Sequence, residues 1–439
     1  MALLIPAEPR SRSNLRLLPT WWPLAAITVG FPIWWALGLS AAAWPLVSTA
    51  VMLPRLISSR RQLKLPVGFG WWMLFMVWVV LSATQINELS RIFSFGYRFS
   101  VYIAATIVFI YLYNETEERM PTKRVIGLLT GLWVCVAVGG HIGATFPRLQ
   151  FTSLVEFVLP RSLLSNQLVG ALVHPEFAQV SRLLGREIGR PHALFPFTNG
   201  WGSTWGILFP VVMAWFGMRH PSSRAKLAVA GVLVLSLYSV VLSLNRGLWI
   251  SIVAALAYTT ARFVGQRKVL PIVMAALGTV FLIVVLSVTS LGDLVDSRSE
   301  AGHSDDARGS LYTQSIDISI DRPILGYGTP QPRNDGKIGG PRVGTHGHFW
   351  LVMVSQGIVG LSLYLAWWGT LILRTARRAT ASDVWLHAVL VVVGVQMFFY
   401  EHTPIQLPLA MIVGALLLRR SRFEAEARDR DLPVQASVS

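Results

Sequence analysis

The sequence predicts an all-α fold, a polytopic membrane helix bundle of about twelve transmembrane helices with two long extracytoplasmic loops that contain short helices. Three observations support this fold. Of the 439 residues, 53 % are hydrophobic and only 14 % are charged, whereas soluble domains carry about 25 % charged residues. Apolar runs recur along the whole chain, and basic clusters recur between them. This composition argues against a soluble enzyme and excludes a disordered chain.

The apolar runs are predicted to be membrane-spanning helices. A span needs about 20 mainly apolar residues, and lipid offers no hydrogen bonds to an open strand. Two of the runs are short, and the first of these also contains Pro45 and Pro54. In chain order the predicted spans are 21–39, 41–57, 67–85, 98–113, 125–143, 200–218, 226–244, 247–264, 269–289, 347–373, 384–400 and 405–418, of which 41–57 and 405–418 are the short ones.

The connections between the runs predict the orientation. Every second connection carries a basic cluster, which is the pattern of cytoplasmic loops. The clusters lie at residues 10–16, 60–64, 119–124, 219–226, 262–268, 374–378 and 419–422. We therefore expect a single transmembrane domain over 21–422 with cytoplasmic tails at 1–20 and 423–439. The net charge of +16 then reflects the basic cytoplasmic loops of a membrane protein, and no nucleic-acid partner is expected.

Two connections, 144–199 and 290–346, are long and face outward under this topology. Loops of this length are usually functional or disordered. The first contains apolar residues at helical spacing, which predict a helix that lies along the membrane surface, covers a cavity or simply packs within the loop. They are Leu163, Leu164, Leu168, Leu172 and Val173.

The second long loop is predicted to contain a helix and a tight turn. Leu311, Ser315 and Ile318 recur at helical intervals, and the helix should end before Pro323, because proline lacks a backbone donor. The stretch 326–328, Gly-Tyr-Gly, then predicts a tight turn.

Arg246 is the most informative single residue. It lies in a very short outward hairpin, Asn245-Arg246-Gly247, between two apolar runs. A charge close to hydrocarbon is expensive. One interpretation is an arginine that extends to the lipid head groups, and the other is a ligand for an anion, since planar arginines suit bidentate phosphate recognition. Arg190 and Arg308 belong to the same predicted outer face, and several arginines in one cavity would suit a lipid diphosphate.

Other outward residues complete the candidate site. His346 could be a general base, because the histidine pKa is close to neutral, or simply a polar residue at a helix start. His346 and His348 could also bind a metal with Asp305 or Asp306, although this spacing is weak evidence for a metal site. Asn199 is either a helix cap or a ligand. Arg186 and His348 are further candidate substrate-binding residues, and the pair Glu401-His402 lies in the last outward connection.

Three blocks of the sequence resemble the O-antigen ligase and O-antigen polymerase-like family of polytopic membrane glycosyltransferases. The likeness covers roughly residues 125–375. The blocks are Gly189-Arg190-Pro191 through Phe195 to Asn199; Leu242-Ser243-Leu244-Asn245-Arg246-Gly247; and Arg308 with 322–328 (Arg-Pro-Ile-Leu-Gly-Tyr-Gly), His346 and 357–360 (Gly-Ile-Val-Gly).

The likeness also selects one histidine and shows several departures. The family histidine lies eleven positions before the first glycine of the last block, and this position is His346 rather than His348. Asn245 replaces the usual serine, Gly347 the usual asparagine and Ser355 a common acidic residue. The usual Pro-Asn pair is Thr198-Asn199 here.

The resemblance implies an activity and a mechanism. Such proteins join a glycan carried on a polyprenyl diphosphate to a glycan or lipid acceptor at the outer face of the cytoplasmic membrane. Arg190 and Arg246 would hold the diphosphate and stabilise its developing charge, Arg308 would orient the diphosphate or sugar, and His346 would position or deprotonate the acceptor hydroxyl. We expect the transfer to invert the configuration at the anomeric carbon and to need no metal ion or cofactor. Membrane lipids are expected to surround the protein.

Two rival functions stay open from the sequence. A transporter or flippase of lipid-linked glycans would have charged or polar residues at mid-span, and these are scarce in this sequence. A non-catalytic assembly protein would have salt-bridged outer arginines and no outer cavity. Ligase and polymerase activity differ in the acceptor, and the sequence contains no signature for either acceptor.

Overall fold

The chain folds into a helical bundle with one small β-hairpin. The computed structural model describes residues 18–58, 63–164, 166–183, 186–219, 221–267, 269, 273, 303–332, 342–377 and 380–431. The helices in this part are α1 (Trp22–Ile27), α2 (Phe31–Ala36), α3 (Ala43–Val47), α4 (Leu53–Ser58), α5 (Phe69–Ser82), α6 (Leu89–Asn114), α7 (Thr122–Thr145), α8 (Arg161–Leu164), α9 (Gln167–Val173), α10 (Thr198–Phe216), α11 (Ser223–Leu242), α12 (Arg246–Gly265), α13 (His303–Asp321), α14 (His348–Thr375), α15 (Ala381–Gln396) and α16 (Gln406–Asp431).

Five of the described helices are long and apolar enough to cross a membrane. They are 91–114 of α6 and the whole of α7, α11, α12 and α14, and the shorter helices α5 and α15 are also apolar. The predicted all-α membrane character is therefore confirmed at this level. The count of twelve spans stays a prediction, and the predicted span 269–289 lies outside the described residues except for 269 and 273.

The first two predicted spans are interrupted helices. Residues 21–39 form α1 and α2, separated at Thr28 by a C-cap in a non-helical conformation. The second run continues from α3 through a π-helical turn, Ser48–Met52, into α4. Pro45 and Pro54 lie within this segment, where each lacks a donor for the helical hydrogen bonds. At the other end of the chain, α16 continues to Asp431, so the first part of the predicted tail 423–439 is helical.

The first long loop differs from the prediction because it contains a β-hairpin. Strands β1 (Ala178–Leu183) and β2 (Arg186–Pro191) pair in antiparallel register, with Gln179 opposite Arg190. The apolar residues predicted as one helix are divided between α8 and α9. Asn166 starts α9 as its cap, and its side chain accepts hydrogen bonds from the N–H groups of Leu168 and Val169.

The core is rich in large aromatic side chains, which pack the long helices against one another. Helix α10 contacts α7, α12 and α15, while α6 packs against α16 and α5 against α14. Trp133 of α7 and Trp205 of α10 are fully buried with ring centroids 5.7 Å apart. Within a bilayer, where lipid tails are as apolar as these side chains, such helices are held together by van der Waals packing. This packing fixes the helix ends from which the candidate site is built.

The predicted turn 326–328 docks against a break in α14. Gly357 has φ 71° and ψ −176°, so the helical hydrogen bonds are interrupted there. The N–H groups of Tyr327 and Gly328 bind the freed carbonyls of Val354 and Ser355 at 3.0 and 2.8 Å. A Cβ on Gly357 would lie 2.3 Å from the Ile324 carbonyl oxygen, so the close approach requires glycine. The break and the turn thus form one unit, and helix α13 ends at Asp321, as predicted.

Candidate functional site

Arg190 and the hairpin that contains Arg246 are in direct contact. The Arg190 Nε donates a hydrogen bond of 2.9 Å to the backbone carbonyl of Ser243, three residues before Arg246. The backbone carbonyl of Arg190 lies 3.5 Å from the Thr198 hydroxyl at the start of α10. Strand β2 therefore lies against both the hairpin and the first turn of α10. The two arginines expected to share an anion come from segments that meet at one end of the bundle.

The hairpin is shaped by Asn245, which caps α12. Its Oδ1 accepts a hydrogen bond of 3.3 Å from the Leu248 N–H, and its Nδ2 donates one of 3.2 Å to the Thr198 carbonyl. The Tyr400 hydroxyl also donates to Oδ1. Leu244 just before it has φ 47°, which is uncommon for leucine. Such conformations persist where the surroundings impose them, and here Asn245 ties the hairpin to two other segments.

Arg246 is the first residue of α12. Its side chain is partly buried. A cation at this place faces the positive end of the helix dipole, which favours an anion instead. Helix stability alone therefore does not account for an arginine here, whereas a bound anion would interact favourably with both the guanidinium and the helix terminus.

His346 lies just before α14, and His348 is the first residue of that helix. The Thr345 hydroxyl lies 3.3 Å from His346 Nδ1, and His346 is partly buried. Gly347 between them has φ 151°, and a Cβ there would lie 2.6 Å from the Phe398 carbonyl oxygen. This explains the departure at 347, because the asparagine usual in the family would not fit against Phe398.

His348 is fully buried and bonded within the protein. Its Nε2 lies 3.4 Å from the Tyr102 hydroxyl, and its Nδ1 accepts a hydrogen bond of 3.3 Å from the backbone N–H of His402. The two imidazole rings stack with centroids 5.2 Å apart. These contacts fit a residue that fixes the start of α14 better than one that touches substrate.

The structure locates three other predicted residues, and for two of them it describes only the backbone. Asn199 is exposed in the first turn of α10, whose N-cap is Phe197 without a side-chain cap, so Asn199 is not the helix cap. Arg186 is the first residue of β2. Arg308 lies inside α13, which begins at His303. The side chains of Arg186 and Arg308 lie outside the described residues, as do those of Asp305 and Asp306.

Helix α13 nevertheless brings its segment close to the start of α14. Tyr312, one helical turn after Arg308, stacks on Trp350 with ring centroids 4.8 Å apart. Leu311 is buried against Val343 and Val354. The second long loop therefore packs beside the segment that carries His346.

The structure adds an ion pair that the sequence analysis did not identify. Arg98 Nε lies 3.0 Å from Glu401 Oε1, and the Thr403 hydroxyl donates to the same oxygen at 2.7 Å. Glu401 follows Tyr400, whose hydroxyl holds Asn245. The only signal in the sequence was an arginine at the start of an apolar run and a lone outward glutamate. The ion pair connects α6 to the segment 400–403 beside the hairpin.

Two histidines near the site are buried and favour the neutral form. His402 lies between α15 and α16, and burial together with the neighbouring His348 lowers its pKa well below the usual value, with Glu401 acting in the opposite direction. His192 lies between β2 and α10, and burial also lowers its pKa. His192 Nδ1 lies 2.7 Å from the Phe195 carbonyl oxygen, so the neutral ring holds the turn into α10.

Within the described part of the chain, no three histidine, cysteine, aspartate or glutamate side chains lie close enough together to bind a metal ion. The Arg190 side chain and the hairpin of Arg246 meet at this end of the bundle, and Tyr400, which bonds to Asn245, also accepts a hydrogen bond from the backbone N–H of His348, two residues after His346. Such a set can bind an anion and position a hydroxyl group.

Comparison with known proteins found one family whose sequence model matches part of the chain. A sequence model described as O-antigen ligase matches residues 231–365, which includes the hairpin, α13 and the segment from His346 to the break in α14. No functionally curated protein matches the chain. The apolar helices together with this match identify a multi-pass membrane protein. Residues 231–365 are thus similar to the O-antigen ligase family, and this similarity supports, at a coarse level, a membrane enzyme that transfers glycans in polysaccharide biosynthesis.

Proposed function

We propose that the chain transfers a glycan from a polyprenyl-diphosphate carrier to an acceptor hydroxyl at the outer face of the cytoplasmic membrane. The observation that supports this proposal is the contact between Arg190 and the Ser243 carbonyl, which brings two arginines from separate segments to one hairpin. Both chain termini are cytoplasmic in this proposal, and the site lies outside. The carrier's hydrocarbon chain would explain why the site is at a membrane.

Arg190 and Arg246 bind the diphosphate. Arginine forms bidentate, charge-assisted hydrogen bonds with phosphate oxygens, and the N-terminus of α12 adds its own preference for an anion. As the sugar leaves the carrier, negative charge grows on the diphosphate. Guanidinium groups fixed in advance by Ser243 and by the capped hairpin stabilise that charge without rearrangement, and this is the main catalytic effect.

His346 acts on the acceptor. The acceptor oxygen forms a bond to the anomeric carbon while the bond from that carbon to the diphosphate oxygen breaks, and the bonding electron pair leaves with the diphosphate. The acceptor proton passes to the His346 imidazole and then to solvent. Because attack comes from the side opposite the leaving group, the anomeric configuration inverts. Positive charge is supplied by arginines, so the proposed reaction uses no metal ion.

Transport of the lipid-linked glycan is less well supported than transfer. A transporter is expected to line its path with polar or charged groups in mid-membrane. Three polar side chains buried between α10, α12 and α15 are instead neutral and mutually bonded, since the Ser203 hydroxyl lies 2.6 Å from Gln396 Oε1 and Gln396 Nε2 lies 2.8 Å from the Ser251 hydroxyl. These groups hold helices together.

Reconstitution tests the proposal directly. The full chain in proteoliposomes is supplied with a defined polyprenyl-diphosphate oligosaccharide and an acceptor, with and without EDTA, and the product linkage is determined by NMR. We expect an inverted linkage, no effect of EDTA, and loss of transfer in Arg246→Ala. Arg224→Ala, which removes an exposed arginine at the start of α11, is the matched control. Full transfer by Arg246→Ala would contradict the diphosphate role.

A second measurement tests the orientation. Cys135 is the only cysteine of the chain, so Cys135→Ala provides a background for single reporter cysteines. Asn199→Cys should react with an impermeant maleimide added to intact cells, whereas Arg224→Cys should react only after the membrane is opened. The reverse pattern would place the site on the cytoplasmic side.

A further inference from the structure

A second group of arginines lies beside α6, on segments separate from Arg190 and Arg246. Arg91 of α6 is only 8 % exposed, and its Nε donates a hydrogen bond of 2.9 Å to the Thr329 hydroxyl. Arg322 follows the end of α13, and its guanidinium donates to Gln85 Oε1 at 3.1 Å and covers the Tyr327 ring at 4.8 Å from the centroid. Neutral partners thus hold both guanidinium groups in place.

Arg342 joins this group through a short backbone bridge. The backbone groups of Val343 and Gln331 exchange hydrogen bonds of 2.9 and 3.3 Å, and the Gln331 side chain donates to the Thr329 carbonyl at 2.9 Å. Thr329 is the partner of Arg91. Arg322 and Arg342 both lie close enough to Arg91 to repel its charge, and Glu88 attracts it.

The charges of this group are not balanced within the described part of the chain. There, none of the three guanidinium groups lies within ion-pair distance of a carboxylate, in contrast to Arg98, which pairs with Glu401 at 3.0 Å. Three arginines brought together against their mutual repulsion, one of them buried, gain stability when an anion binds between them. The arrangement therefore favours a ligand with several anionic oxygens.

The surroundings of the group indicate an amphiphilic ligand. Residues two positions to either side of Arg91, Leu89 and Phe93, are 81 % and 82 % exposed, and those two positions to either side of Arg322, Ile320 and Ile324, are 69 % and 61 % exposed. Apolar side chains so exposed in a membrane protein mark the lipid boundary. An anion that reaches these arginines along that boundary would carry a hydrocarbon chain, as a lipid phosphate or diphosphate does.

The segment 400–403 contacts both the hairpin of Arg246 and the helix that carries Arg91. On one side Tyr400 bonds to Asn245, next to Arg246, and on the other Glu401 pairs with Arg98, two helical turns from Arg91 on α6. We propose that Arg91, Arg322 and Arg342 form a second anion site, which binds the phosphate group of a lipid-borne acceptor. This inference rests on the proposed glycan transfer and assigns its acceptor to the lipid-phosphate class.

Counting bound lipid tests the second site. The purified full chain in nanodiscs of zwitterionic lipid is titrated with a short-chain polyprenyl diphosphate, and native mass spectrometry gives the number bound per chain. We expect two in the wild type, one in the double variant Arg322→Gln/Arg342→Gln, and one in Arg246→Gln. The double variant leaves the buried Arg91 in place, and Arg224→Gln is the matched control, with two bound. A wild type that binds one, or a double variant that still binds two, would overturn the second site.

Competition and kinetics identify the source of the phosphate. We expect the double variant to raise the acceptor KM about tenfold, as for loss of ground-state binding, with the donor KM unchanged. Phosphatidylglycerol should not displace the second polyprenyl diphosphate at equal concentration. Displacement would show a site for bulk lipid head groups and would overturn the acceptor assignment. If Arg246→Gln still bound the donor, the proposed diphosphate role of Arg246 would be refuted. The number of lipids bound at the second site would still be an independent result.

Discussion

Arg190 donates a hydrogen bond of 2.9 Å from its Nε to the backbone carbonyl of Ser243, 53 residues later in the chain. The bond joins the β-hairpin of the first long loop to the helical hairpin between α11 and α12. Since Arg246 lies three residues after Ser243, the position of one arginine depends on the other. Substitutions in either segment should therefore affect the same step of glycan transfer.

Replacement of Arg190 should weaken donor binding more than it weakens the fold. Arg190→Ala removes the side-chain hydrogen bond to the Ser243 carbonyl, a loss of about 0.5–1.5 kcal/mol of stability, and it also removes a guanidinium from the diphosphate. Arg190→Lys keeps the charge and loses the planar geometry, so its donor KM should rise while some transfer is retained. The measurements are the thermal unfolding midpoint in detergent and steady-state kinetics with a polyprenyl-diphosphate oligosaccharide.

Gln179→Ala provides the control for Arg190, because Gln179 is its partner in the strand register. This variant should keep wild-type kinetics. If Arg190→Lys matched the wild type in donor KM, the guanidinium geometry would have no part in binding the donor.

Asn245 and Tyr400 should be energetically coupled. Asn245→Ala removes the cap of α12 and the bonds to Thr198 and Tyr400, whereas Tyr400→Phe removes only one of these. A cap is worth about 0.5–2 kcal/mol, so Asn245→Ala should lower stability more than Tyr400→Phe and should reduce kcat by moving Arg246. A double-mutant cycle on the unfolding free energy should give a coupling of about 1 kcal/mol.

Asn245→Ser distinguishes the cap from the other contacts. Serine can still accept a hydrogen bond from the Leu248 N–H, but it is too short to replace the amide contacts with both Thr198 and Tyr400. We expect stability between that of the wild type and that of Asn245→Ala, and intermediate activity. An additive double-mutant cycle, together with a fully active Asn245→Ala, would show that Asn245 does not position Arg246.

Short-range sequence rules predict several of the turns and helix ends in this structure. The hairpin at Asn245, the end of α13 at Asp321 and the turn at Gly326 follow from short-range rules on caps, proline and glycine. The β-hairpin was not predicted, because its short strands bear no clear alternation in a loop rich in apolar residues. The break in α14 depends on Gly357 meeting the Ile324 carbonyl, a contact between distant segments.

In the candidate site, too, the sequence predicts single residues but not the contacts between distant segments. Arg246 is visible in the sequence as a charge between two apolar runs, and His346 follows from spacing within the family resemblance. The pair of Arg98 and Glu401 and the group around Arg91 arise from tertiary contacts across more than 200 residues. No periodicity in the sequence reports such contacts, so these two groups of residues could not be predicted from it.

Two helical glycines should respond to alanine in opposite directions. A Cβ on Gly202 of α10 would lie 2.4 Å from Asn245 Nδ2, while none of the surrounding atoms lies within 4 Å of one on Gly231 of α11. Because Asn245 is held by three partners, Gly202→Ala should cost about 1–3 kcal/mol and reduce transfer. Gly231→Ala should raise stability by about 0.5–1 kcal/mol without affecting transfer. Equal unfolding midpoints for the two variants would mean that Asn245 can move freely.

Acidic pH should destabilise the protein through His402. Its pKa is lowered in the folded protein by burial, so the unfolded chain binds a proton more readily. The contribution of neutral His402 to stability is therefore fully present above a pH of about 6.5, the histidine pKa in the unfolded chain. This contribution decreases as the pH falls below that value. His192 acts in the same direction. The thermal unfolding midpoint of the wild type should therefore decrease between pH 7.5 and 5.5. His402→Phe keeps a ring against His348 and removes the titrating group, so its midpoint should decrease less. An unchanged pH dependence in His402→Phe would exclude His402 as a source of the acid sensitivity.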